Sequence, residues 1–362
     1  MKRQTIFSLL CACSLMVWAQ RFSVNGIAYN VTSTEKLTVE VTGAELNWDI
    51  VIPAAVQYNG KTYSVKSIGG WAFFGCSELT SVTIPNSVTA IGTGAFNGCS
   101  SLASLTIPNS VTTIGDYAFN SCSELTSVTI PKSVTNIGGR AFTYCSGLAY
   151  IVVEAGNSVY DSREACNAII KTNDNELMAG CRNSTIPNSV TAIGAGAFEG
   201  CSSLTSVTIG SSVRSIGEQA FANCDKLKTV SCLAENVPST ESDVFQFSHI
   251  ENATLFVPET SLDAYKATAP WSQFGTIEIT DAASVRPLTY DAPMLVISNG
   301  GQLTIEGAAD GTQVRVYGMN GVEAGSGISR NGQATVSTNL KPSSVAIIKI
   351  GDKTFKVAMK RD

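Results

Sequence analysis

Apolar residues recur along the middle of the chain at fixed positions in blocks of 23. Residues 79–101 read LTSVTIPNSVTAIGTGAFNGCSS, 102–124 read LASLTIPNSVTTIGDYAFNSCSE and 125–147 read LTSVTIPKSVTNIGGRAFTYCSG. Ala-Phe pairs end at Phe73, Phe96, Phe119, Phe142, Phe198 and Phe221, at spacings of 23, 23, 23, 56 and 23. A cysteine follows each Phe three residues later, giving Cys76, Cys99, Cys122, Cys145, Cys201 and Cys224. Within a block, Val82 and Ile84 alternate with Ser81 and Thr83, the period of two that predicts a strand. Pro85 ends it, because proline cannot donate to a ladder. Val88 and Ile91 predict a second short extended piece, and Gly92 a change of direction. Ala95, Phe96 and Cys99 are spaced so that a single helical turn would point all three inward.

One such block cannot bury its apolar side alone, whereas stacked blocks share a continuous core. The expected architecture is therefore mostly β, a solenoid of 23-residue repeats whose turns lie about 4.8 Å apart. Each Phe then packs on the Phe above and below. Truncating a central one, Phe119→Ala, is expected to destabilise by about 3–5 kcal/mol. The register also sends Ser and Thr outward in two parallel columns: Ser81 and Thr83, Ser104 and Thr106, Ser127 and Thr129, Ser206 and Thr208. They are broken by Tyr150 and Val152.

The pattern changes in three places. The 56-residue gap is one repeat plus 33 residues, an enlarged repeat over 148–190. Ala168 to Ile170 and Leu177-Met178 predict a β-hairpin with Asn173-Asp174-Asn175 at its turn, pushed out of one face. Before the repeats, 20–60 predicts a cap, with Phe22 to Tyr29 and Leu37 to Val41 alternating as hairpin strands. At the other end the blocks decay. Asp243 to Phe247 replaces the Ala-Phe turn, Ala253 to Val257 predicts a strand and Ser261 to Ala267 a short helix. Trp271 and Phe274 are placed to cover the open end, so the solenoid spans 61–281. From 285 to 362 short alternating runs separated by Gly and Asn predict a small β-sandwich after a linker near Pro287.

Charge and cysteine content narrow the function. Only 15% of residues are charged and there is one histidine, His249, a poor inventory for hydrolytic or metal chemistry. Residues 1–19 read as a signal peptide, with Lys2 and Arg3 before an apolar run and Val17-Trp18-Ala19 as the cleavage site; lipidation at Cys13 is the lesser alternative. Without the leader, 22 Lys and Arg stand against 29 Asp and Glu, a net charge of −7, which argues against nucleic acid as a partner. Nine cysteines remain. Stacked equivalents keep Cβ atoms near 4.8 Å, whereas a disulfide wants about 3.8 Å. The column therefore reads as buried thiols, with Cys166 and Cys181, both off the column, left open as a bridged pair.

No G-x-S-x-G, P-loop, H-E-x-x-H or C-x-x-C motif occurs, and no enzyme activity, metal or cofactor is expected. Asp161, Arg163 and Glu164 cluster in the enlarged repeat and could hold a sugar or cation, although a solvated loop is the simpler account. The outward columns offer a flat, uncharged, hydrogen-bonding surface. Ser127, Thr129, Ser206 and Thr208 are its hydroxyls, and Tyr150 beside Val152 its aromatic anchor. The competing view is that Ser and Thr simply suit strands and pair with their stacked neighbours. A regular S-x-T lattice also resembles ice-binding solenoids.

The Leu-Thr-Ser-Val-Thr-Ile-Pro-Asn-Ser-Val-Thr-x-Ile-Gly…Ala-Phe…Cys block is similar to the BspA-like family of bacterial leucine-rich-repeat surface proteins over about residues 60–280. The segments from Tyr160 to Ile170 and over 225–279 resemble recurrent pieces of the same family. The resemblance implies an extracellular or cell-surface solenoid that adheres to host proteins or to other cells. Val316 to Gly321 and Ile347 to Lys356 resemble the C-terminal sorting domains of type IX secretion. Ser344, Val345 and Ala346 stand where such domains commonly read Gly-x-Tyr, which leaves surface attachment or spacing as the other role. The expected function is a secreted or cell-surface adhesion module for a host or bacterial surface protein or glycan. A monomer is expected, with outer-membrane association open; the alternative is a passive spacer of the envelope.

Overall fold

The computed structural model describes residues 20–45 and 48–280, then 295–299, 302–306, 311–318, 323–330, 333–338, 345–350 and 353–358. The leader with Cys13, the linker near Pro287, and Met319 to Gly321 and Ser344 of the sorting-domain resemblance lie outside the described residues.

Each repeat contributes three sides to a β-solenoid. Its first strand lies parallel to its neighbours: Asp49–Val51, Ser81–Thr83 and Ser104–Leu105 form one ladder, and Ser127–Ile130 pairs with Tyr150–Val153. Beyond the enlarged repeat Ser206–Ile209, Thr229–Cys232, Thr254–Val257 and Thr276–Ile279 continue this side. The second side stacks two-residue strands, Ala90–Ile91, Thr113–Ile114 and Asn136–Ile137, onto Lys61–Ile68. Val82, Val128, Ile91 and Ile114 all face the interior, as period-two alternation dictates.

The third side departs from the expected helical turn. Ala95, Asn97 and Cys99 donate their N–H groups to carbonyls three residues back, at Gly92, Gly94 and Phe96. The alternate N–H groups of Gly94, Phe96 and Gly98 donate to Asp116, Ala118 and Asn120 of the next turn, each at 2.8 Å. A left-handed residue stands on either side of each Phe, such as Gly94 and Gly98, Tyr117 and Ser121, or Arg140 and Tyr144. A helix cannot pass through such residues. The side is a run of tight turns zipped to the next turn.

Gly92 also has a different role from the change of direction read in the sequence. Its φ is not positive; a Cβ there would lie 2.6 Å from the backbone N of Gly70. Gly115, Gly138 and Gly217 repeat this backbone-to-backbone approach. The glycine column exists because two turns touch there.

Inside, Phe73, Phe96, Phe119 and Phe142 stack with centroids 5.1, 5.4 and 5.4 Å apart and planes within 12°. Phe198, Phe221 and Phe245 form a second column at 5.0 and 5.6 Å. The cysteines are free thiols, Cys166 and Cys181 included. They are more than small apolar groups: Cys99, Cys122, Cys145 and Cys224 each donate to the carbonyl of the Phe one turn back, at 3.1, 3.3, 3.1 and 3.3 Å. Each of these carbonyls also accepts the backbone N–H of the cysteine three residues on, so the thiol from the next turn is its second donor.

Burial pushes these thiols up, Cys99, Cys145, Cys166 and Cys224 from 9.0 to about 12. A group raised in the folded state contributes stability that is whole below its unfolded value and is lost as pH rises through the folded one. The protein is therefore expected to lose stability between pH 9 and 12. At neutral pH iodoacetamide should modify the half-buried Cys76 first and the others only on unfolding. Rapid labelling of Cys122 in the native protein would contradict this.

The hairpin of the enlarged repeat is present, Ile169–Lys171 against Glu176–Ala179, but it does not protrude. Tyr160–Asp161 pairs with its first strand and Ala192–Ile193 with its second, so it forms part of the second side. Ile169, Ile170 and Leu177 are fully buried, and that burial explains the inlaid position. Asparagine side chains bridge the ladder where it is interrupted. Asn167 Oδ1 accepts from Ile151 N at 2.8 Å while its Nδ2 donates to Ala149 O at 2.6 Å. Asn157 Nδ2 donates to the carbonyls of Pro131 and Val134 at 3.0 and 2.9 Å. Among the described residues no ring contact joins Phe142 to Phe198. Gly180 stands there instead, and a Cβ on it would lie 2.2 Å from the Phe198 ring. A cavity of about 190 Å³ beside Phe142, Ile169 and Met178 marks the seam.

Both ends are capped. Arg21–Val24, Ile27–Ser33 and Thr38–Ala44 pair antiparallel before joining Lys61–Ile68. At the far end Trp271 and Phe274 meet Phe245 edge-on at 5.5 and 5.2 Å, next to the helix Leu262–Ala267. Further along the chain, Leu295–Asn299, Gln302–Glu306 and Gln333–Ser337 form one antiparallel sheet. Glu323–Ile328, Gln313–Gly318, Val345–Ile350 and Lys353–Ala358 form another. Leu303, Ile305 and Val336 of the first share a core with Val314, Val316 and Ile348 of the second.

Candidate functional site

The strand side carries the outward Ser and Thr columns and Tyr150. Ser127 lies opposite Tyr150 and Thr129 opposite Val152. Ser127 and Thr129 are exposed, Val152 is half-buried, and Tyr150 is 44% exposed. Ser206 and Thr208 are half-buried and stand in register with Thr229 and Ser231.

Four outward hydroxyls behave differently from many others of the solenoid. Ser110 and Ser133 donate to the carbonyls of Val88 and Val111, and Thr112 and Thr126 to those of Thr89 and Ala103, all one turn back. Ser127, Thr129, Ser206 and Thr208 make no such bond to the chain. Stacked neighbours do not consume them, so donors and acceptors remain on the surface.

Asp161 and Arg163 are spent on each other. Arg163 Nε and Nη2 donate to the two carboxylate oxygens at 2.8 and 2.6 Å, its backbone N adds 3.0 Å, and Thr172 Oγ1 donates at 2.9 Å. Arg163 Nη1 reaches Asn175 Oδ1 at 2.8 Å. Burial works to raise the Asp161 carboxyl, but the bonds from Arg163 and Thr172 outweigh it and hold it below the usual carboxylate range. The pair braces the enlarged repeat. Tyr150 and Asp161 belong to different sheets, and the two strands are tied where Val153 N donates to Ser162 Oγ at 3.0 Å.

Two features were not read from the sequence. Trp48 and Val51, each 68% exposed, begin the strand side. On the turn side Arg140 Nε lies 3.2 Å from Glu199 Oε2, an ion pair without hydrogen-bond alignment, and Nη2 reaches Glu218 at 3.3 Å and Gln219 at 3.0 Å. Glu199 is 8% exposed; burial raises its carboxyl and the Arg140 charge offsets this only in part. The pair joins repeats on either side of the 33-residue insertion, a proximity no local spacing reveals.

Residues 60–166 and 175–269 match, in six copies, the family model of the BspA type leucine rich repeat region. The chain belongs to the BspA type leucine-rich repeat family. The break between the two matched BspA type segments falls at the first hairpin strand and turn of the enlarged repeat. Among solved structures, the chain is similar to a leucine rich cell surface protein from Faecalibacterium prausnitzii A2-165, with 20% identity over 73% of this chain and 96% of that one, TM-score 0.37. It is also similar to a leucine-rich repeat protein from Bacteroides ovatus, with 23% identity over 72% and 76%, TM-score 0.43. The pneumococcal vaccine antigen PcpA shares 17% identity over 73% and 99%, TM-score 0.42. A search of curated proteins finds no match.

Proposed function

We propose that the protein is a non-enzymatic binding or adhesion module, secreted or held at the bacterial cell surface, whose strand side recognises a protein or glycan. The observation that carries this reading is the set of unbonded hydroxyls at Ser127, Thr129, Ser206 and Thr208, with Tyr150 exposed opposite Ser127. A ligand there gains hydrogen bonds without first breaking any within the protein, and an aromatic anchor supplies contact area with little lost side-chain freedom. The leader read from residues 1–19 supports export. Among the described residues no helix is long and apolar enough to cross a membrane. Surface attachment is assigned to the C-terminal sheets, by their resemblance to sorting domains.

The test is surface plasmon resonance of the full chain against immobilised matrix proteins and glycans. Tyr150→Ala is expected to weaken the captured ligand about tenfold while leaving thermal stability within about 0.5 kcal/mol. A variant that binds like wild type removes the strand side as the site. If no member of a broad panel binds, the solenoid is a passive spacer retained with the envelope fraction.

A further inference from the structure

The strand side begins at an unusual place. Between the N-terminal cap and the first strand lies a crevice of about 290 Å³ whose walls include Ile27, Tyr29, Asp49, Ile50 and Pro53. That volume sits at the lower end of the roughly 300–1,000 Å³ of small-molecule sites. Two of its wall residues, Tyr29 and Asp49, carry a polar atom that the fold leaves unbonded, and Trp48 precedes Asp49 in the chain.

Tyr29 is 0% exposed, yet its hydroxyl has no hydrogen-bond partner. A buried bare hydroxyl is costly and uncommon. Burial raises the phenol to about 12, so at neutral pH it remains a donor. Asp49 is held from one side only: Thr80 Oγ1 and Ser81 Oγ both donate to Oδ1, at 2.9 and 2.6 Å. Those bonds, Ser81 first, keep the carboxyl below the usual range, and Oδ2 is left as a fixed, ionised acceptor. The next residue back, Trp48, presents its indole to solvent at 68% exposure. A wide aromatic face, an anchored carboxylate and a buried phenol donor beside an apolar wall match a ring with C–H faces and hydroxyl edges.

We propose that this crevice is a binding site for one neutral hexose unit of a glycan. The sugar's C–H face lies on Trp48, its hydroxyls donate to Asp49 Oδ2, and one ring or hydroxyl oxygen accepts from Tyr29. The inference rests on the binding-module reading and deepens it, placing a sugar subsite at the start of the strand side. Protein is the competing occupant.

Saturation-transfer NMR on the full chain, with glucose, galactose and N-acetylglucosamine as probes, tests it. At least one sugar should receive saturation on its ring protons, and Trp48→Ala, at an exposed position, should abolish the transfer. Tyr29→Phe removes only an unpartnered hydroxyl, so it should leave the melting temperature unchanged and weaken binding about fivefold. No transfer to any of the three sugars at millimolar concentration overturns the proposal, as does wild-type binding by both variants. A protein ligand lost in Trp48→Ala without any sugar signal overturns the sugar assignment while sparing the binding-module reading. Glycan binding that is lost in Tyr150→Ala but kept in Trp48→Ala leaves the strand side standing and removes the crevice.

Discussion

Gly115→Ala is expected to destabilise the solenoid by about 3 kcal/mol or more, one of the two largest effects of any single change here. The added Cβ would lie 2.5 Å from Thr93 N and 2.7 Å from the Gly92 carbonyl carbon. Both are backbone atoms, so no side-chain rotation relieves the clash. The turns must separate, and the bonds from Gly115 N to Ile91 O and from Thr112 N to Thr89 O, at 2.8 and 2.9 Å, lengthen with them. Gly98→Ala is the control. Its Cβ would meet only Gly75 at 3.4 Å, but its φ is +77°, so the penalty is the left-handed backbone alone, about 1–2 kcal/mol. Denaturant unfolding of the two variants separates close approach from conformational preference. Equal losses would sink the distinction.

Phe119→Ala should cost a similar amount, about 3–5 kcal/mol. Its ring is wholly buried and stacks on both sides, at 5.4 Å from Phe96 and 5.4 Å from Phe142. The cavity left by truncation sits between two rigid turns that are zipped together by backbone bonds, so it cannot collapse well. Phe142→Ala is the comparison. That ring stacks on one side only and already borders the cavity at the seam, so its loss should be smaller. Melting temperatures in the reverse order would show that ring stacking is not what secures the core.

The solenoid was legible because equal spacing in the chain puts equivalent residues at equivalent heights. Phe96, Phe119 and Phe142 could be placed in one column by counting, and Ser127 and Thr129 sent outward by alternation. Counting fails where a residue's partner is not its own repeat. Gly115 looks the same in sequence whether it serves a turn or a close approach, and only the neighbouring backbone decides. Tyr117, Arg140 and Tyr144 take left-handed φ values of 55°, 55° and 58° that glycine more often fills, so no composition signal marks those turns. The buried aliphatic run Ile169-Ile170 was itself a sign that the hairpin would lie in the sheet. The strand Glu323–Ile328 carries Gly325 and Gly327 in place of apolar residues, so alternation could not find it. Of the candidate site, Tyr150 and its hydroxyl neighbours followed from register. Trp48 and Tyr29 did not, because the cap has no repeat to count from.

The insertion divides the buried apolar residues of the solenoid into two clusters, one running from Ile27 to Cys181 and the other from Cys166 to Phe274. In a one-dimensional array, stability propagates only through contact between adjacent units. A single poorly coupled interface therefore sets where cooperativity ends. The solenoid is therefore expected to unfold as two foldons in series, each with its own cap, held across the seam by Arg140 on Glu199 and by asparagine side chains. Under tension or mild denaturant the link between them yields first, and each half keeps its amide protection after the connection is lost.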